Sequence, residues 1–212
     1  MAVPLAGAGH RVVGIDIDPA MLARAARRAE EAGPAVAERL HLVEGDALRP
    51  RPSDRGGFRL AIVALNSLLL FPERARQERL VATLAELVEP GGVVAVDAWQ
   101  PQPEDLVRFD GRLSLEWLRT DPETGFTVTK TAAAWYDAAT RTVTLVTMFD
   151  EGLAGAAPVR WTRTDRLRLA AADELMEWAE RAGLEVEQLG GDYDLSPYAS
   201  GSDRVVLVAR RP

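Results

Sequence analysis

The chain has 212 residues, 47% hydrophobic and 27% charged, with a formal net charge of -7. That suffices for one α/β domain with a full core, or one domain carrying a sizeable insertion. The acidic balance offers no footprint for nucleic acid or an anionic membrane, and the lack of cysteine excludes disulfides and thiolate catalysis or metal sites.

Residues 1–8 read as the tail of a helix that Gly9 ends in the left-handed conformation. Gly7-Ala8-Gly9 has the look of a phosphate loop, but it precedes a strand and has no third glycine in register, so it reads as a helix end. Residues 11–16 form an apolar strand ending in Asp16. Asp18 then serves as N-cap and Pro19 as first helical residue, where a missing N–H is harmless. Leu22, Ala25, Ala26 and Ala29 recur at helical spacing until Gly33-Pro34 stops the helix.

A second strand is expected at 40–46, ending in Asp46, followed by a polar Pro/Gly connection over 49–57. A third, at 58–65, ends at Asn66-Ser67. The next helix starts near Glu73, with Leu80, Val81, Leu84, Leu87 and Val88 facing inward. Glu89-Pro90-Gly91-Gly92 reads as a turn into a fourth strand, 93–96, that ends at Asp97. Alternating strands and helices make a mostly parallel sheet flanked by helices the expected architecture.

The pattern changes over about 112–170. Alternating segments at 113–118, 126–136, 142–149 and 159–169 are separated by turn signals at 121–125 and 137–141, an antiparallel insertion. Its Trp117, Trp135, Tyr136 and Trp161 are expected as core or interface filler. A helix over 172–182 and strands at 184–189 and 204–209, joined by a loop, close the sheet with an antiparallel hairpin. All 212 residues read as a single domain.

In open α/β sheets ligands bind where parallel strands end. Asp16, Asp46, Asn66 and Asp97 all fall at such ends and together favour a polar cleft. For Asp16 two readings stay open. One is a helix-start anion, a role Asp18 already fills; the other is an acceptor for the ribose hydroxyls of an adenosine-containing cofactor. The two histidines, His10 and His41, lie near strand starts, which disfavours a Ser-His-Asp triad or a histidine metal site, and no metal is expected.

The order and spacing of five stretches are similar to those of class I S-adenosylmethionine-dependent methyltransferases of the small-molecule type. They are 12–22, Glu44-Gly45-Asp46-Ala47, 58–70, 87–96 with its Glu-Pro-Gly-Gly, and Gly191-Asp192-Tyr193-Asp194. The resemblance spans nearly the whole chain and implies a Rossmann-like fold with S-adenosyl-L-methionine as cofactor. It implies that Asp16 binds the ribose hydroxyls and Ile17 packs on adenine. Asp46 would read the adenine amino group, and Ala47 would offer a backbone N–H. Leu65 and Asn66 would line the methionine end and the substrate mouth. Tyr193 would face the substrate and Asp97 would serve as a base, in a reaction driven mainly by positioning a small-molecule acceptor in line with the methyl group.

The family's Gly-rich first motif and its strand are absent from these 212 residues, so an N-terminally truncated domain with impaired activity is the expectation. A non-catalytic scaffold derived from the same fold is an alternative; so is a nicotinamide-dependent oxidoreductase, which also needs that loop. No secretory signal and no apolar run of roughly 18 residues is evident, which implies a cytoplasmic protein. The acceptor and the oligomeric state are not legible.

Overall fold

The computed structural model describes residues 1–51, 54–153 and 155–212. The chain divides into two compact units, Met1–Gly57 and Phe58–Pro212. Of the connection expected at 49–57, Pro52 and Ser53 lie outside the described residues.

In the first unit, helix α1 (Ala2–Gly7) ends before Gly9, whose φ of +97° suits glycine. Strand β1 (Val12–Asp16) leads into α2 (Pro19–Glu31) through the Asp18 cap, which accepts a hydrogen bond from the Ala20 N–H at 2.8 Å. Gly33-Pro34 stops α2 as expected, but it also starts another helix. Gly33 at φ +114° reverses the chain and Pro34 occupies the first position of α3 (Pro34–Arg39), a use of proline that the stop signal concealed. Strand β2 (Leu40–Glu44) then pairs with β1 in parallel, Val12 opposite Leu40 through Asp16 opposite Glu44. Helices α1, α2 and α3 pack on this pair and on one another. Among the described residues of this unit, the buried hydrophobic side chains are Ala6 and Ala29.

The second unit carries the main core. Strand β3 (Phe58–Val63) is followed by a 3₁₀ turn (Ser67–Leu70), helix α4 (Arg74–Leu87) and strand β4 (Val88–Trp99). Short α5 (Pro103–Arg108) precedes strands β5 (Ser114–Thr120), β6 (Phe126–Asp137), β7 (Thr142–Leu153) and β8 (Val159–Arg168). Helix α6 (Ala172–Arg181) and strands β9 (Glu185–Gly190) and β10 (Arg204–Arg210) complete the chain. One sheet has the order β3-β4-β10-β9, with β3 and β4 parallel and β10 antiparallel to both neighbours. The other is the expected antiparallel meander, β5-β6-β7-β8. Helices α4 and α6 pack together and against the first sheet. They bury Leu80, Val81, Leu175 and Trp178 on Val94, Val96, Val205 and Leu207.

Two expectations need correction. Glu89-Pro90-Gly91-Gly92 is not a turn ahead of the strand but a bulge inside β4. Pairing runs Phe58–Val88 and then Leu60–Val93, so three extra residues are absorbed on one strand, with Gly91 at φ +81°. Of the aromatic residues expected as core or interface filler, Trp135 at 46% exposed and Trp161 at 60% lie outside the core, while Trp117 and Tyr136 are half-buried. Small residues Ala132 and Ala133, with Val143 and Thr147, fill the covered parts of that sheet, leaving the wide rings on its open surfaces.

Candidate active site

In the first unit, β1 delivers Asp16 half-buried at its carboxyl end. One oxygen accepts the Asp18 N–H at 2.9 Å; the other has no partner among the described residues. Capping of α2 falls to Asp18, so Asp16 is not needed as a helix-start anion. Ile17 follows with 73% of its surface exposed. Because β1 and β2 are parallel, Asp46 lies just beyond the same edge, and the Gly45 N–H donates to the Asp16 carbonyl at 3.0 Å. Asp46 accepts the Leu48 N–H at 2.9 Å with one oxygen, while the Ala47 N–H has no acceptor among the described residues. Two carboxylate oxygens and one amide are therefore available along this edge. That donor and acceptor set fits an adenosine, which offers hydroxyls and an amino group as donors and ring nitrogens as acceptors.

The second unit builds its strand ends differently. After β3 the chain passes through Leu65 (φ +58°) and Asn66 (φ +63°), two consecutive non-glycine residues in the left-handed region. Such conformations cost on the order of 1 kcal/mol or more each and persist only where surroundings impose them. Here the imposition is visible. The Asn66 N–H donates to Asp97 Oδ1 at 3.0 Å, and the Asn66 side-chain oxygen accepts the Trp99 N–H at 2.8 Å, so the turn is fastened to the end of β4. Leu65 is left 67% exposed.

Asp97 is buried, 3% exposed, and its second oxygen accepts the Tyr193 hydroxyl at 2.5 Å. The Arg204 guanidinium lies 4.2 Å from the Tyr193 ring centroid, with a nitrogen 3.9 Å from Asp97 and another 3.4 Å from Asp192. The hydrogen bond to Asp97 pushes the Tyr193 phenol above its ordinary value; burial and the carboxylate's charge add to this, and Arg204 opposes it. At neutral pH the phenol stays protonated and donates to Asp97. Both Asp97 oxygens are thus engaged, and the group with free acceptor capacity is the half-exposed Tyr193 oxygen.

Each pair of sequence-predicted residues is therefore brought together within its own unit: Asp16 with Asp46 along one edge, Asn66 with Asp97 and Tyr193 at the other. Arg204 was not foreseen. Its signal lay in the closing hairpin: an antiparallel strand beside β4 begins where β4 ends, and Arg204 stands opposite Trp99. His10 and His41 are exposed at the starts of β1 and β2. No group of three or more His, Cys, Asp or Glu side chains suited to a metal occurs among the described residues. A recess of about 520 Å³ beside Arg119, Asp121, Phe126 and Val128 on the β5–β6 hairpin contains none of these strand-end residues.

Residues 1–92 match the family model of a methyltransferase domain. No curated protein sequence matches the chain. Among solved structures, the CcbJ methyltransferase of Streptomyces caelestis is similar over 100% of this chain and 84% of its own, at 22% identity and a TM-score of 0.79. An amino pentose methyltransferase of Micromonospora echinaspora, solved with S-adenosylmethionine bound, is similar over 96% of this chain and 75% of its own, at 22% identity and a TM-score of 0.68. A sugar N-methyltransferase of Streptoalloteichus sp. is similar over 94% and 71%, at 20% identity and a TM-score of 0.69. No helix is long and apolar enough to cross a membrane among the described residues. Residues 1–92 thus match the model of a methyltransferase domain, and the chain shares its fold over its whole length with solved methyltransferases.

Proposed function

We propose that this chain carries out S-adenosylmethionine-dependent methyl transfer to a small-molecule acceptor. The observation that carries the reading is the Asp16 carboxylate, placed at a parallel strand end inside the family-matched segment with one oxygen uncommitted. In this reading Asp16 accepts the ribose hydroxyls, Ile17 covers one adenine face, and Asp46 with the Ala47 N–H addresses the adenine edge. Leu65 and Asn66 line the methionine end. When bound, the cofactor supplies an electrophilic methyl group on sulfonium sulfur; the protein's work is to orient the acceptor.

Tyr193 is the group proposed to meet that acceptor. Its hydroxyl hydrogen is committed to Asp97, so its oxygen accepts an N–H or O–H from the nucleophile. Asp97 acts through Tyr193 and is a positioning residue. The buried carboxylate, with Asp192 and Asp194 in the loop of Tyr193 and Arg204 opposing, makes this edge net negative and attracts an amine as its ammonium, which gives a proton to solvent before its lone pair is free to accept the methyl group. The acceptors named for two of the similar structures, an amino pentose and a sugar nitrogen, point the same way.

The test is calorimetric titration of S-adenosylhomocysteine into the chain, with reduced nicotinamide cofactor titrated in parallel by fluorescence. Saturable binding of the first alone is expected. Binding of the nicotinamide alone supports the oxidoreductase alternative, and binding of neither leaves a scaffold protein.

A further inference from the structure

Gln77 lies on α4, has no exposed surface, and reaches two carbonyl groups far from it in sequence. Its side-chain nitrogen donates to the Leu68 carbonyl at 3.2 Å and to the Arg168 carbonyl at 2.9 Å. Its oxygen accepts from the Arg168 guanidinium at 2.7 Å. Only this orientation of the amide matches donors with acceptors at all three contacts. Arg168, itself 7% exposed, is held by Glu174 at 2.6 Å, and Glu174 also meets Arg74 and Arg141. A helix interior position of this kind is ordinarily apolar, and leucine would fit the α4 pattern. A buried amide with every bond made indicates a specific constraint.

The constrained object is the 3₁₀ turn Ser67–Leu70, whose Leu68 and Leu69 are fully buried. That turn follows directly on the left-handed pair Leu65–Asn66. Asp97 and Trp99 fasten the pair by hydrogen bonds from the β4 side, and among the described residues no hydrogen bond from β4 reaches Leu68. Gln77 supplies a further point of attachment, from α4, and ties the turn to the end of β8. Two attachments fix both the position and the tilt of a short turn, where one would leave it free to pivot.

We infer that Gln77 is a positioning residue for the ligand-lining turn, acting through the Leu68 carbonyl to hold Leu65 and Asn66 in their strained conformation. This rests on the reading above that Leu65 and Asn66 line the cofactor's methionine end. The consequence is that a change deep in α4, touching no ligand, weakens cofactor binding.

The experiment compares the full chain with Gln77→Glu, Gln77→Leu and Leu175→Ala. An ionised Glu keeps an acceptor for Arg168 but cannot donate to the Leu68 carbonyl, so it releases the turn while keeping the contact to Arg168. Leu removes all three bonds. Leu175→Ala, a fully buried truncation on α6, is the control for general destabilisation. Two readouts are taken: hydrogen exchange of a peptide covering residues 64–72, and the dissociation constant of S-adenosylhomocysteine. Both Gln77 variants are expected to speed exchange of that peptide at least about tenfold and to weaken binding about fivefold or more. Leu175→Ala, at an equal or lower melting temperature, should leave both within about twofold. Unchanged exchange in Gln77→Glu overturns the inference whether or not the wild type binds the probe. Faster exchange with unchanged binding overturns it as well. If the wild type does not bind at all, the functional reading fails by itself, and the exchange result still decides whether Gln77 holds the turn.

Discussion

The two parallel strand pairs end in similar residues, yet β1–β2 and β3–β4 hold them in opposite ways. Asp16 and Asp46 each accept one backbone N–H from two residues ahead and keep an oxygen open. Asn66 and Asp97 are committed to each other, to Trp99 and to Tyr193. Burial differs in parallel. Among its described residues the first unit encloses only Ala6 and Ala29 as hydrophobic side chains, whereas the second unit buries leucine, valine and tryptophan between helices and sheet. The lesson is a division of labour: groups left open on a thinly packed support suit a ligand that contributes the missing bonds. Groups closed on a dense support suit presentation of one reactive residue.

The sharpest way to break this contrast is to remove one acid from each side. Asp97→Ala leaves the Asn66 N–H and the Tyr193 hydroxyl without their buried acceptor and should cost about 2–4 kcal/mol in urea unfolding. Asp16→Ala should change stability by less than about 0.5 kcal/mol. Equal costs would erase the distinction. Native-state hydrogen exchange sharpens it further. Amides of β1 and β2 are expected to exchange about a hundredfold faster than those of β4 and β10, and S-adenosylhomocysteine should narrow that gap.

A cap substitution probes the thin unit at smaller scale: Asp18→Ala should lose about 1 kcal/mol of α2 stability, read as faster exchange confined to residues 19–25. The pH dependence distinguishes the closed cluster. A phenol raised by its bond to Asp97 contributes stability below its ordinary value near 10, and loses it as pH rises through the raised value. Ultraviolet difference titration should show one of the three tyrosines ionising late, and Asp97→Asn should bring it earlier. The acid limb belongs to Glu174. Burial resists its ionisation, but Arg168, the Ala171 N–H and Arg74 prevail and hold its carboxyl below the usual range. Its contribution is therefore present above the ordinary carboxylate value and fades as pH falls through the lowered one. Smallest of all, Ile17→Ser at an exposed position should leave stability unchanged and weaken S-adenosylhomocysteine only about two- to fivefold.

Much of this was legible in the sequence because the signals were local. The Asp18-Pro19 start of α2, the meander's four alternating strands and the polar residue near each parallel strand end follow from spacing and from the backbone needs of caps and turns. What was hidden depended on contacts distant in the chain. Gly33-Pro34 signals an end and a beginning with the same two residues. The bulge in β4 appears only once Phe58 has a partner to be out of step with. Gln77 reads as one more polar residue on a helix until Leu68 and Arg168 are seen around it. Arg204 reads as a strand's first residue until β10 is laid beside β4.

The claim on which the rest depends is that the open oxygen of Asp16 is there for a ligand. Calorimetric titration of S-adenosylhomocysteine into the wild type and into Asp16→Ala tests it directly. The wild type should bind with a dissociation constant on the order of 100 μM or tighter, and the variant should bind at least about tenfold more weakly at unchanged stability. Equal affinity in the two proteins, or no binding by the wild type, would contradict the account.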